Sequence, residues 1–123
     1  MLHPHPLSFG EDYPRVLTAY KRCLVTGLSE TALLVASHIK PWRDCRENPD
    51  DCLNPDNALL LSPNWDTLFD KGFISFADGG ALLISKRLSE ASRRSLGIEA
   101  LNVSLSERQR YYLIHHRSLH GFE

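Results

Sequence analysis

The chain has 123 residues, of which 42% are hydrophobic and 24% are charged, and this predicts one soluble domain with a single modest core. No apolar run approaches the ~20 residues that span a bilayer, and no signal peptide is recognisable, so we expect a cytoplasmic protein with no membrane partner. The net charge of -1 argues against DNA binding by bulk charge but leaves room for local basic patches.

The first elements in the chain are an arm and a short helix. Residues 1–11 contain two His-Pro pairs and predict a flexible N-terminal arm, whereas residues 12–123 are the predicted folded domain. Asp12 and Pro14 are typical of a helix start, and they predict a helix of two to three turns that covers the core.

Three cysteines follow in the first half of the chain. Cys23 begins a Cys-Leu-Val-Thr-Gly segment that has the shape of half a zinc knuckle, but a structural zinc site needs four Cys or His ligands. We therefore expect Cys23 to be a small buried apolar residue. Cys45 and Cys52 lie in the next polar stretch, where a cytosolic setting predicts reduced thiols and makes a disulfide between them the less favoured alternative.

Two short apolar runs predict a central pair of strands. Leu33–Ser37 is aliphatic, continues into His38 and breaks at Pro41, which is typical of a buried strand with a titratable group at its end. Ala58–Leu61 is the second run, and a helix-sized segment, Pro63–Asp70, follows it. We expect the strands to pair antiparallel and the helix to pack across them.

The remaining segments predict a long loop, a hairpin and a final helix. Residues 43–56 are polar and indicate a loop between the two strands, and apolar runs on both sides of residues 77–80 indicate a β-hairpin. Residues 86–101 predict a short helix, and Ser104 or Ser106 can cap a final helix. That helix has four residues at helical spacing that we expect to pack on the domain: Tyr112, Leu113, His116 and Leu119.

Four polar residues punctuate the central elements. His38 suits a general base, because an imidazole with a pKa of ~6.5 is largely neutral at pH 7. Asn57 can fix that imidazole or the loop beside it, since an amide both donates and accepts hydrogen bonds. Asp66 and Asp70 share a helix face and offer oxygen ligands to a hard divalent cation. A base for water and a cation for the phosphate are what phosphodiester hydrolysis needs.

Several segments resemble the HNH endonuclease family, in the family's order. They are Ala-Ser-His-Ile-Lys-Pro-Trp at 36–42, Asn-Pro-Asp-Asn-Ala-Leu-Leu-Leu-Ser-Pro at 54–63 and Leu-Phe-Asp-Lys-Gly-Phe-Ile-Ser-Phe at 68–76. Residues 20–27 and 115–117 are similar to the upstream Cys-Thr-Gly and C-terminal Tyr-His-Arg segments of a restriction-type bacterial branch. The resemblance extends over residues 13–122.

The resemblance implies an α+β domain built on a ββα-metal finger that cuts DNA with a divalent ion. His38 takes the place of the family's general base, and Asn57 takes the place of the asparagine that supports it. Asp66 falls where the last histidine or asparagine binds the metal. Two positions depart from the pattern, since Ser37 replaces an Asp or His ligand and Ala58 replaces a glycine.

These residues define the expected cofactor and partner. Asp66, with Asp70 as a second oxygen and Ser37 as a poor ligand, favours Mg²⁺ or Mn²⁺, and Ni²⁺ or Zn²⁺ are the alternatives. The expected partner is double-stranded DNA. Three cations are its candidate nucleic-acid-binding residues: Lys40, Arg43 and Lys71.

Other interpretations remain open at this point. The missing ligand before His38 is also typical of a degenerate HNH scaffold that binds DNA or a protein without cutting. RNA cleavage is a further interpretation, because the motif acts on the phosphodiester and does not recognise the sugar. The sequence does not fix the oligomeric state, and a homodimer is one option.

Overall fold

The computed structural model describes residues 13–45, 48, 50 and 53–122, so the predicted arm at 1–11 lies outside the described residues. The helices are α1 (Tyr13–Tyr20), α2 (Pro63–Asp70), α3 (Glu90–Leu96) and α4 (Glu107–Leu119), and the strands are β1 (Val35–His38), β2 (Ala58–Leu61), β3 (Ile74–Phe76) and β4 (Leu82–Ile84). The predicted α+β class is confirmed. Of the helices described, none is long and apolar enough to cross a membrane.

The β1–β2 pair is the centre of the domain. The strands are antiparallel, with Val35 opposite Leu61 and His38 opposite Ala58. Every residue of β2 is buried, as is every residue of β1 except His38, which fits their uninterrupted aliphatic sequence. Helix α2 contacts both strands, so the predicted pairing and the helix across it are confirmed. Strand β1 starts later than predicted, because residues 31–33 form a 3₁₀ turn.

The core lies between this pair and the surrounding helices. Helix α1 contacts β1 and β2 and buries Val16 completely, which confirms its predicted covering role. The largest fully buried apolar side chains come from β2, α2, β3, α4 and the turn after β1: Tyr112, Phe69, Phe76, Ile39, Leu59, Leu60, Leu61, Ile74 and Leu113. The prediction that the final helix packs on the domain is confirmed by its buried Tyr112, Leu113 and His116, whereas Leu119, which ends α4, is 41% exposed.

The C-terminal half contains the predicted hairpin and the capped final helix. Strands β3 and β4 pair antiparallel. In their turn Gly80 has a φ of +96°, and a Cβ there would lie 2.0 Å from the Val103 carbonyl oxygen, so the turn requires glycine. Ser106 caps α4, since its Oγ accepts from the Gln109 N–H at 3.1 Å and its own N–H donates to Gln109 Oε1 at 3.0 Å.

The connection between β1 and β2 differs from the predicted loop. Trp42–Asp44 forms a 3₁₀ turn, and Asp50 and Leu53 have helical backbone. Cys45 is buried and disulfide-bonded, so the expectation of a reduced thiol is wrong at this residue. The prediction of a reduced thiol rested on an assumed cellular compartment, and a compartment does not determine which sulfur atoms the fold brings together.

Candidate functional site

His38 lies at the end of β1, opposite the buried Ala58 of β2. It is the last residue of β1 and is half-buried, unlike the three residues before it. Successive strand residues face opposite sides of a sheet, so Ser37 and His38 lie on opposite faces of β1. Ser37 is buried on its face.

Asn57 fixes the turn that follows His38. Its side chain is fully buried, Oδ1 accepts from the Lys40 N–H at 2.7 Å, and Nδ2 donates to the Lys40 carbonyl at 3.1 Å. Its own carbonyl accepts from the Ile39 N–H at 3.2 Å. The amide thus closes on both backbone groups of one residue. Of the two roles that its chemistry allows, these contacts support the one of holding the loop.

The turn before Asn57 is itself anchored. The Asn54 carbonyl accepts from the Asn57 N–H at 2.9 Å, and Asn54 Oδ1 accepts from the Asp56 N–H at 2.8 Å. The Tyr20 hydroxyl donates to Asp56, and burial together with this bond raises the pKa of Tyr20 to about 12. Sequence reasoning missed these residues, although an Asn-Pro-Asp-Asn run is a turn signal that could have revealed Asn54.

Helix α4 supports both sides of this arrangement. Gln109 Nε2 donates to the carbonyl of Ala58, directly after Asn57, at 3.0 Å. His115 Nε2 lies 2.9 Å from Asp44 Oδ2, in the 3₁₀ turn after Lys40. No local sequence signal predicts either contact.

Asp66 lies in the first turn of α2 and is only 1% exposed. Its N–H donates to the Ser62 carbonyl at 2.9 Å, and Pro63 occupies the start of the helix, where a missing N–H costs nothing. The N-terminal end of a helix favours a negative charge. The carboxylate is therefore held in a defined, largely dry position next to the strand pair.

Cys23 holds the start of α2 from the other side. Its Sγ accepts from the N–H groups of Ser62 at 3.3 Å and Thr26 at 3.4 Å. Burial raises the pKa of this thiol, but the hydrogen bonds from Thr26 and Ser62 together lower it by more, so the net pKa is below the ordinary value. Cys23 is buried, yet it is a hydrogen-bond acceptor rather than only an apolar residue.

The C-terminal end of α2 is held by His116. This buried ring stacks on Phe69 at 3.8 Å, with 2° between the planes. Its Nε2 lies 2.9 Å from the Phe69 carbonyl, and its Nδ1 lies 2.8 Å from Ser75 Oγ. A carbonyl only accepts, so Nε2 carries the proton and Nδ1 accepts from Ser75. Burial lowers the pKa of His116 to about 3, so the ring stays neutral.

Asp70, the last residue of α2, is exposed, unlike Asp66. Burial lowers the pKa of His120, and the charge of Arg87 lowers it as well. The charge of Asp70 raises this pKa by less, so the net pKa is below the ordinary value. Arg87 Nη2 donates to the carbonyls of Lys71 at 3.1 Å and Gly72 at 2.9 Å. Arg87 therefore caps the end of this helix.

The predicted nucleic-acid-binding cations lie at two places. Lys40 and Arg43 belong to the turn after His38, where the backbone of Lys40 is fixed by Asn57. Arg43 Nε lies 3.8 Å from Asp44 Oδ1 and is well exposed. Lys71 is exposed just beyond α2, at the other end of the helix from its first turn. Two of the three cations, Lys40 and Arg43, therefore lie in the turn that follows His38, and Lys71 does not.

The described residues contain no cluster of three or more His, Cys, Asp or Glu side chains that could hold a metal. The predicted pair differs in environment, since Asp66 is buried and Asp70 is exposed. A single carboxylate fits a hard ion that keeps several waters and takes further oxygens from a phosphate, as Mg²⁺ does. It does not fit tetrahedral zinc, which takes three or four protein ligands.

Residues 23–77 match the family model HNH_2, described as HNH endonuclease. The matched segment contains β1, β2, α2 and β3 and is slightly less than half of the chain. Helix α4, which supports the His38 turn, lies outside it. No curated protein matches the sequence.

Proposed function

Since residues 23–77 belong to the HNH endonuclease family, we propose that this protein is a metal-dependent endonuclease that hydrolyses DNA phosphodiester bonds. The most direct structural support is the pair of hydrogen bonds between the Asn57 amide and the Lys40 backbone. They fix the turn that begins at His38. Catalysis depends on such fixation, because a displacement of ~1 Å can cost about 10²-fold in rate.

His38 is the proposed general base. At the exposed end of β1, its imidazole takes a proton from the water that attacks the phosphorus atom. Solvent reaches this half-buried ring, so the proton can return to water after each turnover. Asn57 acts through the backbone of Lys40 and is a positioning residue.

A divalent ion, when bound, stabilises the charge on the phosphate and on the leaving oxygen. Asp66 is the residue proposed to hold it, and Asp70, one helical turn later, is tested as a second oxygen ligand, directly or through water. This donor set favours Mg²⁺ or Mn²⁺ over Ni²⁺ or Zn²⁺. Ser37, next to His38 in β1 and 5% exposed, is the third proposed ligand, and its neutral hydroxyl is a poor one for Mg²⁺.

The proposed substrate is duplex DNA, contacted through its phosphates by Lys40 and Arg43. Both residues lie within five positions of His38, so the phosphate contacts and the base belong to one turn. Lys71 is proposed to contact a more distant phosphate. Such contacts position the strand and do not select a sequence.

The test is plasmid cleavage with Mg²⁺, Mn²⁺, Ni²⁺ or Zn²⁺, each against EDTA. The parent should cut with Mg²⁺ or Mn²⁺, Asp66→Ala should not cut, and Asp66→His should cut with a preference shifted towards Ni²⁺ or Zn²⁺. Arg93→Ala, on the exposed surface of α3, is the control and should cut like the parent.

Two results would contradict the proposal. Full Mg²⁺-dependent cleavage by Asp66→Ala would show that the ion is held elsewhere, and Asp70→Ala would then be the variant that loses activity. A folded parent that binds DNA but cuts it with none of the four ions would instead support the non-cutting scaffold.

A further inference from the structure

A cleft of about 330 Å³ lies between the turn after His38 and the outer face of α4. Its lining residues are Lys40, Tyr111, Tyr112, Ile114, His115 and Ser118. Five of these residues belong to α4. Four of the five recur at helical spacing and share one face of the helix, and the remaining one, Tyr112, is buried. Lys40 is two residues from His38 in the sequence, so the cleft borders the turn that follows the proposed base.

Parts of the cleft wall are held by contacts within the protein. The Lys40 backbone is held by Asn57, and His115 Nε2 lies 2.9 Å from Asp44 Oδ2. The Tyr111 ring meets the ring of Tyr112 edge to face, with the centroids 5.2 Å apart. Since Tyr112 is 1% exposed, it provides a rigid support for the ring beside it. A preformed site of this kind loses little entropy on binding.

The exposed side chains of the cleft suit a nucleotide. Tyr111 is 64% exposed and Ile114 is 54% exposed, which is unusual for two large apolar groups on one helix face. Exposed aromatic rings stack on nucleobases whatever the sequence, and a lysine ammonium pairs with a phosphate. Lys40, Tyr111 and the hydroxyl of Ser118 supply both kinds of contact within one cleft.

We propose that this cleft receives an unpaired nucleotide of the DNA strand next to the phosphate that is cut, with its base stacked on Tyr111 and its phosphate on Lys40. The inference extends the proposed endonuclease function. A base inside a duplex is stacked on both sides and cannot reach a side chain, so the nucleotide must be unpaired. Duplexes with a gap or a single-stranded overhang are therefore the preferred substrate class.

Fluorescence anisotropy in EDTA tests this site without cleavage. The probes are a labelled single strand and the blunt duplex that it forms with its complementary strand. Tyr111→Ala should weaken binding of the single strand by about 5- to 150-fold, the range expected for one lost stacking contact. Tyr111→Trp should retain the affinity, and the blunt duplex should bind all variants equally. Leu96→Ala, another exposed apolar residue on α3, is the matched control.

The outcomes separate this inference from the endonuclease proposal. If Tyr111→Ala binds the single strand as the parent does, or loses affinity for both probes equally, the cleft is not a nucleotide site, whether or not the parent cuts plasmid. Tyr111-dependent binding of the single strand by a parent that cuts with no ion would support the cleft and overturn the nuclease. Circular dichroism of Tyr111→Trp and Tyr111→Ala confirms that both variants fold.

Discussion

His38 and His116 are the same side chain in two contrasting environments. His38 ends a strand, is half-buried, and follows a run of three buried residues. His116 is 2% exposed, stacks on Phe69, and has both ring nitrogens within hydrogen-bond distance of protein atoms. The His38 ring is only half-buried, whereas the His116 ring is locked into a single neutral tautomer.

The contrast shows that position, not residue type, separates a candidate base from a structural ring. Both histidines lie in segments that resemble the HNH family, so the resemblance alone does not distinguish them. Burial lowers the pKa of His116 to about 3, which removes it from acid–base chemistry near neutral pH. Its two hydrogen bonds instead join α4 to the end of α2 and to β3.

The largest expected effect is the loss of activity in His38→Ala. We expect the cleavage rate to fall by about 10²- to 10⁴-fold, because a general base contributes that much. The free energy of unfolding should change little, since a half-buried residue at a strand end leaves no large cavity. Cleavage kinetics with Mg²⁺ and urea unfolding of the same sample measure the two quantities. Equal cleavage by the variant and the parent would show that His38 is structural.

Asn57→Ala should reduce both the cleavage rate and the free energy of unfolding, whereas substitution of His38 should affect mainly the rate and substitution of His116 mainly the stability. The variant loses both hydrogen bonds to the Lys40 backbone, and a released turn should reduce the rate by about 10²-fold. The free energy of unfolding should drop by about 1–3 kcal/mol, the cost of leaving a buried polar group unpaired. Arg93→Ala, on the exposed surface of α3, is the control. An unchanged pH profile of the residual activity is required if Asn57 only positions the turn.

The central finger was predictable because its signals are local. The bounds of β2 and α2 agree with the apolar run Ala58–Leu61 and with the segment from Pro63 to Asp70. Neighbouring residues decide such elements, since a proline fixes the start of a helix and a glycine follows its end. The position of His38 at the end of β1 followed in the same way, whereas Asn57 lies in the turn just before β2 and not on the strand as expected.

The supporting contacts were not predictable, because they join distant parts of the chain. Gln109 reaches Ala58 across 51 residues, and His116 reaches Phe69 across 47. No spacing rule links residues so far apart. The exposure of Asp70 was also hidden, since helical spacing shows that Asp66 and Asp70 share a face but not where that face becomes buried.

His116→Phe should destabilise the fold and leave the chemistry of the site intact. The phenyl ring can keep the stacking on Phe69, but Ser75 Oγ loses its buried partner, which costs about 1–3 kcal/mol. At temperatures where the variant is folded, its cleavage rate should remain close to that of the parent. The companion Ser75→Ala variant, combined with His116→Phe, should restore part of the loss. A large loss of cleavage rate in fully folded His116→Phe would show that His116 is needed for cleavage and is not only a structural residue.

The parent and the His116→Phe variant should differ in how the free energy of unfolding depends on pH. The folded pKa of His116 is lowered to about 3, whereas an unfolded histidine has a pKa of ~6.5. Below pH ~6.5 the unfolded chain binds a proton that the folded chain excludes, so this contribution is complete above that pH and is lost as the pH falls towards 3. The parent should lose up to about 1.4 kcal/mol per pH unit relative to His116→Phe. Parallel unfolding curves for the two proteins between pH 7 and 4 would contradict the assignment.

The smallest effect is expected at His115, a third histidine whose environment is intermediate. Its side chain is 37% exposed, and its Nε2 lies 2.9 Å from Asp44 Oδ2, whose side chain is also partly exposed. Pairs of this kind contribute about 0–1 kcal/mol and are weakened by salt, because solvent screens both groups. A double-mutant cycle with His115→Gln and Asp44→Asn should therefore give a coupling free energy below about 1 kcal/mol, which falls as NaCl is added. A coupling several times larger, insensitive to salt, would mean that α4 holds the His38 turn as rigidly as His116 holds α2, and that accessibility does not rank the three histidines.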